Sequence, residues 1–281
     1  MEINFKKMHG TLNDFVVFHD LENRILLSVE QVAHMCDRRA GIGADGVIVV
    51  RPSLIADFFM DYINADGSLA EMCGNGIRCL AKYAYDCGLT AKKTLPVETR
   101  AGVKTLELIS GSNGSIERVR VNMAAPILEP EKIPANVLSD HPIIDYPLES
   151  GGRIFLGTLV SMGNPHCVIF VDEDPDLLPA HYGPAIETHE IFPAKTNVEF
   201  IRVLDRKRIV MRVWERGSGE TFSCGTGACA AAVAANLKGL ADPSCVVQLL
   251  GGSLDIEWKG TSFPVIMTGS AVTVFEGSIT I

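Results

Sequence analysis

No two of the eight cysteines in this sequence are separated by two residues. That absence removes the Cys-X-X-Cys spacing favoured by zinc sites and dithiol redox centres. Positive charge is also short: 25 lysines and arginines face 34 aspartates and glutamates, a net charge of −9. A nucleic-acid backbone or an anionic membrane is therefore not expected as the main partner, although local basic residues can still hold a small anion. No run of about 18 apolar residues suggests a membrane span. The stretch from Met1 to Gly10 lacks the basic-then-apolar design of a secretory signal. Eight cysteines without such a signal point to reduced thiols in a cytosol rather than a disulfide scaffold. What is present is 281 residues, 47 % hydrophobic and 21 % charged, enough for one large or two ordinary domains of a soluble enzyme.

The chain repeats itself. Cys73-Gly74-Asn75-Gly76 recurs 151 residues later as Cys224-Gly225-Thr226-Gly227, and each copy leads into an alanine-rich apolar run ending in Gly-Leu, at Gly88-Leu89 and Gly239-Leu240. The same shift carries Asn13 onto Asn164, Gly46 onto Asn197 and Asn64 onto Glu215, which marks a duplicated domain. Apolar runs at 15–18, 47–50, 167–170 and 198–201 read as buried strands. Alternating strands follow the helices, Lys104 to Leu108 and Leu254 to Trp258, at a shift of 150. Helices are expected over Gly74 to Asp86, over Gly225 to Leu237 and, more weakly, from Val29 to Asp37, with Ser28 and Gln31 as a capping box. The helix from Gly225 is small and apolar on all sides, so strands must surround it. The fold expected is α/β of the α+β type: two pseudo-symmetric domains, each a curved, mainly antiparallel sheet or barrel around a central helix. The N-terminal domain is placed at 1–124 with 271–281, and the C-terminal domain at 125–270, with the cleft between them.

A cysteine just before a helix sits where unsatisfied N–H groups and partial positive charge converge. A thiolate is stabilised there, so the thiol pKa is expected to fall toward neutrality, and a carboxylate can dock on the same N–H groups. Two such loops facing one cleft would place a substrate α-carbon between two sulfurs. One thiolate would remove the α-proton and the other thiol would deliver a proton to the opposite face, with no cofactor and no metal. The remaining cysteines, Cys36, Cys79, Cys87, Cys167, Cys229 and Cys245, are expected to be small hydrophobes. The segment from Gly41 to Gly46 fits Gly-X-Gly-X-X-Gly, but charge precedes it and a strand follows, so a positioning turn is expected rather than a dinucleotide site.

Several segments together resemble the diaminopimelate epimerase family over nearly the whole chain. They are Lys7-Met8-His9-Gly10 with Asn13-Asp14-Phe15, Asn64-Ala65-Asp66-Gly67, Glu71-Met72-Cys73-Gly74-Asn75-Gly76 with Arg78-Cys79, Gly163-Asn164-Pro165-His166, Thr196-Asn197-Val198-Glu199-Phe200, and Trp214-Glu215-Arg216-Gly217 leading to the Cys224 loop. The resemblance implies pyridoxal-independent epimerisation of LL- to meso-diaminopimelate, in lysine and peptidoglycan-precursor synthesis. It implies Cys73 and Cys224 as the acid–base pair, and Gly74, Asn75, Gly225 and Thr226 as the holders of the reacting carboxylate. Asn13, Asn64, Asn164, Asn197, Glu215 and Arg216 would bind substrate, mainly its distal end, where Arg216 offers a bidentate fork. His166 and Glu215 would tune the thiols. Taken from the residues alone, a satisfied core histidine is the other reading of His166, and a turn former that of each asparagine. The alternatives are a racemase or epimerase of another amino acid on the same fold, a non-catalytic binding protein that kept the cleft, and a dithiol redox protein. A homodimer in the cytoplasm, with no nucleic-acid or membrane partner, completes the expectation. Two positions depart from the family pattern: Leu12 stands where a glycine is usual, which implies an altered turn, and Gly46 where a substrate-touching glutamine is frequent.

Overall fold

A computed structural model describes residues 1–139 and 141–281. The chain divides into two compact units, Met1–Asn122 with Thr268–Ile281, and Met123–Met267.

The first unit begins β1 (Glu2–Gly10), β2 (Asn13–His19), α1 (Val29–Cys36), β3 (Gly46–Arg51), β4 (Phe58–Asn64), α2 (Gly74–Asp86), β5 (Thr94–Thr99), β6 (Gly102–Ser110) and β7 (Ile116–Asn122). Neighbouring strands pair antiparallel except β2 with β3 and β4 with β5, which run parallel. Parallel neighbours need a crossover, and α1 and α2 supply it. Of these strands, β2 and β3 carry continuous apolar runs, because both of their faces are covered. Ser28 and Gln31 close the capping box of α1, as the sequence predicts.

The second unit contains β8 (Tyr146–Ser150), β9 (Arg153–Ser161), β10 (Pro165–Phe170), α3 (Leu178–Glu187), β11 (Asn197–Asp205), β12 (Arg208–Glu215), β13 (Gly219–Thr221), α4 (Gly225–Leu237), β14 (Ser244–Leu249) and β15 (Gly252–Glu257). Here β10 with β11 and β12 with β14 are parallel, bridged by α3 and α4, and the other pairings are antiparallel. The chain returns to the first unit through β16 (Ile266–Ser270), and β17 (Val272–Thr280) then pairs antiparallel with β1.

The duplication is visible in register. Phe15 pairs with Gly46 between β2 and β3, and their mates His166 and Asn197 pair between β10 and β11. The helices from Gly74 and Gly225 have the predicted bounds. Both end in the same way: Gly88 and Gly239 adopt φ of 70° and 69°, and Leu89 and Leu240 donate back to Ala84 and Ala235 at 2.9 Å. This is the Schellman closure, and it explains why each apolar run stops at Gly-Leu. Each of these helices packs against the strands of its own unit and is buried for nearly its whole length. The α4 surface is small and apolar, whereas α2 buries Arg78 and Lys82 on polar partners. Each unit is thus a curved, mainly antiparallel sheet around a central helix.

Candidate active site

Cys73 caps the N-terminus of α2 with φ −137°, and its Sγ accepts from the Gly76 N–H at 3.4 Å. The Asn13 side-chain oxygen lies 3.5 Å from that sulfur and accepts from Asn75 Nδ2 at 3.2 Å. The two-residue turn before Asn13 sets its position. Gly10 pairs with Asn13 across it, and Thr11 and Leu12 adopt φ of 52° and 61°. Leu12 therefore takes the left-handed conformation that glycine would take freely, at a cost of roughly 1–2 kcal/mol. The register of β1 on β2 leaves only two residues for the reversal, so Leu12 adopts the positive φ itself.

Asn13 is held from behind as well. Its Nδ2 donates to Asp45 at 2.7 Å, Asp45 accepts from Arg38, and Arg38 and Lys7 both pair with Asp14. Those cations hold the Asp14 carboxyl down at about 2, against burial that works the other way. The glycine-rich segment is thus the positioning turn expected, with Asp45 as its working side chain. A side chain at Gly46 would meet the Ile63 carbonyl and the Tyr62 ring, both at 2.6 Å, so Tyr62 occupies the space a glutamine there would need. Asn64, at the end of β4, donates to Ser68 within its own turn, apart from the Asn13–Cys73–Asn75 contacts. Arg78, fully buried, reaches the Gly74 carbonyl at 3.0 Å, the Ser270 carbonyl at 3.1 Å and the Thr11 hydroxyl at 3.3 Å.

The second loop repeats the device. Cys224 caps α4 with φ −117°, and its Sγ accepts from the Gly227 N–H at 3.4 Å. Asn164 Nδ2 donates to Thr226 Oγ1 at 3.4 Å, and Thr226 Oγ1 lies 3.5 Å from Cys224 Sγ. His166 is fully buried; Nε2 meets Asn164 Oδ1 at 3.0 Å and Nδ1 meets Glu199 Oε1 at 2.7 Å. Asn197 accepts from the Arg216 backbone N–H at 3.0 Å and donates to the Pro165 carbonyl at 2.8 Å, so it ties β11 to the turn that carries Arg216. The Arg216 side chain is exposed, with Nη1 on the Ala194 carbonyl at 3.1 Å. Glu215 accepts from the Thr221 hydroxyl.

The electrostatics correct one expectation. The Cys224 thiol is pushed well above its ordinary value, first by burial and then by the charges of Glu215 and Glu199. The helix terminus and Thr226 act in the opposite direction and are outweighed. Burial likewise pushes the Glu215 carboxyl up. Cys36, Cys79, Cys167, Cys229 and Cys245 are buried as expected, and Cys87 is half-buried. Burial raises Cys79 to about 12 and raises Cys167 as well, which suits inert packing. Among the described residues, no group of His, Cys, Asp and Glu is arranged to hold a metal ion.

Three residues of this arrangement were given no role in the sequence reading: Asp45, Arg78 and Glu199. Glu199 left a usable signal. It is a charged residue inside the apolar run of β11, two positions from Asn197 and therefore on the same strand face.

The sequence matches the family described as diaminopimelate epimerase over residues 5–128 and 158–274. It is 47 % identical over 281 residues to a diaminopimelate epimerase of Leptospira biflexa, covering all of both chains. It is 49 % identical to one of Moorella thermoacetica, covering 98 % of each. Among solved structures it resembles a hydroxyproline epimerase from Agrobacterium vitis at TM-score 0.69, 15 % identity, and coverage of 99 % and 91 %. It also resembles a phenazine biosynthesis protein of the PhzF family from Bacillus anthracis at TM-score 0.68, 17 % identity, and full coverage of both. These distant structures share the fold.

Proposed function

The chain belongs to the diaminopimelate epimerase family, and on that premise we propose that it interconverts LL- and meso-diaminopimelate by two-base proton transfer between Cys73 and Cys224. It is an isomerase of lysine and peptidoglycan-precursor synthesis, and a racemase for another amino acid is not favoured. The observation that carries the mechanism is the matched pair of helix N-termini, each capped by a cysteine whose sulfur accepts a backbone N–H at 3.4 Å. In each direction one sulfur, as thiolate, takes the α-proton. The other, as thiol, gives its proton to the opposite face, so the centre inverts and the two sulfurs exchange protonation states. Gly74, Asn75, Gly225 and Thr226 hold the reacting carboxylate, where helix N–H groups stabilise the enolate-like charge. Asn13, Asn64, Asn164, Asn197, Glu215 and Arg216 recognise the substrate, with acceptors for its distal ammonium and a cation for its distal carboxylate. No cofactor enters this scheme. A thiol pushed up by burial must be activated before it can act as base; the contacts from His166 through Asn164 and Thr226 to the sulfur support His166 in that role, while Glu215 tunes the thiol in the opposite direction.

The test is incubation with LL-diaminopimelate in D₂O, followed by NMR. Deuterium should enter at one stereocentre while meso product appears. Cys73→Ala and Cys224→Ala should each abolish turnover. A fully active single variant would end the two-base scheme, and an absence of exchange would end the enzyme reading.

The homodimer and the cytoplasmic location belong to the same proposal. The first is supported by the outward apolar side chains Val272, Val274 and Phe275 on β17, a surface for a second copy, and sedimentation would check it. The second is supported by eight free thiols. No helix among the described residues is long and apolar enough to cross a membrane.

A further inference from the structure

The layer beneath the Cys224 loop differs in chemistry from its repeat mate. His166 and Glu199 lie there, with both side chains fully buried and 2.7 Å apart. Shifted back by 151, they become Phe15 and Ile48, which lie under the Cys73 loop. The space is equivalent. A Cβ on Gly227 would meet Glu199 Oε1 at 2.7 Å, and a Cβ on Gly76 would meet Ile48 Cδ1 at 2.8 Å and Phe15 Cζ at 3.4 Å. The fold therefore accepts an apolar pair in this position. Glu199 Oε2 is buried and has no hydrogen-bond partner among the described residues, which makes the carboxylate costly to keep.

The donors and acceptors run in one direction. Both ring nitrogens of His166 face oxygens, Glu199 Oε1 and Asn164 Oδ1, so Nε2–H donates to Asn164 Oδ1 and one further proton lies in the hydrogen bond between Nδ1 and Glu199. Asn164 then turns Nδ2 to Thr226 Oγ1, whose own proton is left for Cys224 Sγ. If the ring carried its proton on Nδ1 alone, Nε2 would need a donor. Asn164 would reverse its amide, Thr226 would donate to Asn164, and the Cys224 sulfur would lose its donor.

We propose that Glu199 is a positioning residue for Cys224: by sharing a proton with His166 Nδ1 it keeps the Nε2–H on Asn164 and fixes the direction of the chain through Asn164 and Thr226, so that the Thr226 hydroxyl donates to the sulfur and favours the thiolate. The inference rests on Cys224 being a base of the proposed reaction. The charged groups that act directly on the sulfur are Glu215 of β12 and Glu199 of β11, with His166 of β10 bound to Glu199. Simple charge removal at Glu199 would make the thiolate easier to form. Loss of the chain's direction would make it harder. The two accounts predict opposite signs.

The experiment is alkylation of Cys224 by iodoacetamide across pH, read by mass spectrometry on its own peptide in a Cys73→Ala background. Glu199→Gln keeps an acceptor for His166 and removes the charge. The alkylation midpoint should rise by about one pH unit, so the rate below the midpoint falls about tenfold. An unchanged or lower midpoint overturns the proposal. Thr226→Val should give the same shift, Thr226→Ser should not, and Glu199→Gln should add nothing to Thr226→Val. If Glu199→Gln does not fold, the Thr226 pair still decides: a midpoint unmoved by Thr226→Val sinks the chain. Alkylation needs no turnover. A protein inert toward diaminopimelate but showing these shifts would lose the proposed function and keep the inference, and the reverse result would do the opposite.

Discussion

Raising the pH should unfold this protein steeply, and the reason lies in its buried thiols. Cys36 and Cys245 are raised to about 11 and Cys79 to about 12, each by burial first, and burial also raises Cys167 and Cys224. All five are less than a tenth exposed. An unfolded chain ionises such thiols near the ordinary value of 9.0. Below that pH both states are neutral and nothing is lost. Above it the unfolded chain releases protons that the folded chain retains, so stability falls until the folded values are reached. Each retained proton costs about 1.4 kcal/mol per pH unit, and five cost roughly 7 kcal/mol per unit between about pH 9 and 11. Against a total of about 5–15 kcal/mol, half or more of the stability should be gone by about pH 10. Urea unfolding at pH 8, 9 and 10 under a non-thiol reductant measures the slope. Cys245→Val should reduce it by about one proton. A slope below about two protons would refute the reasoning, since the thiols would then be ionising in the folded state.

Glu215→Gln removes the charge that acts most strongly on Cys224 after burial. The Cys224 alkylation midpoint should therefore fall by roughly one unit, opposite to the shift expected for Glu199→Gln, and a rise would contradict the direct role of Glu215. Arg78→Met deprives the Gly74 and Ser270 carbonyls of their buried donor. It should cost roughly 3 kcal/mol in urea unfolding, and a loss below about 1 kcal/mol would show that the guanidinium does not anchor the loop.

Backbone features that depend on local pattern were legible in the sequence. Both central helices, the Ser28 capping box and the strand runs follow from capping chemistry and apolar periodicity. The helix over Leu178–Glu187 was not located, because Pro179, Gly183 and Pro184 hide it from propensity reasoning, although the 151-residue shift from α1 points to it. The loop cysteines and their asparagine partners could be read because each repeat supplied a check on the other. Asp45, Arg78 and Glu199 could not be read in that way. Their repeat mates are Thr196, Cys229 and Ile48, so the duplication gave no warning of charge at those places. The rise of the Cys224 thiol was missed for a related reason. A helix terminus is visible in a Cys-Gly-X-Gly pattern, but the depth of burial and the two carboxylates at the sulfur are products of the tertiary fold.

That difference between the halves can be turned into a measurement. His166→Phe with Glu199→Ile would rebuild, under the Cys224 loop, the Phe15–Ile48 layer that the first unit places under Cys73. A buried ion pair exchanged for packed apolar groups of similar volume is often neutral or stabilising by about 1–4 kcal/mol. The double variant should therefore match or exceed the parent in urea unfolding. His166→Phe alone strands a buried carboxylate that already has one oxygen without a partner, and should cost roughly 3–5 kcal/mol. The contrast between the single and the double variant separates two accounts of the pair. If it serves the thiol, the double variant is stable and has lost α-proton exchange, because no ring N–H remains to direct Asn164 and Thr226. If it serves the fold, the double variant is as unstable as the single, and the equivalence of the two layers under Gly76 and Gly227 is refuted.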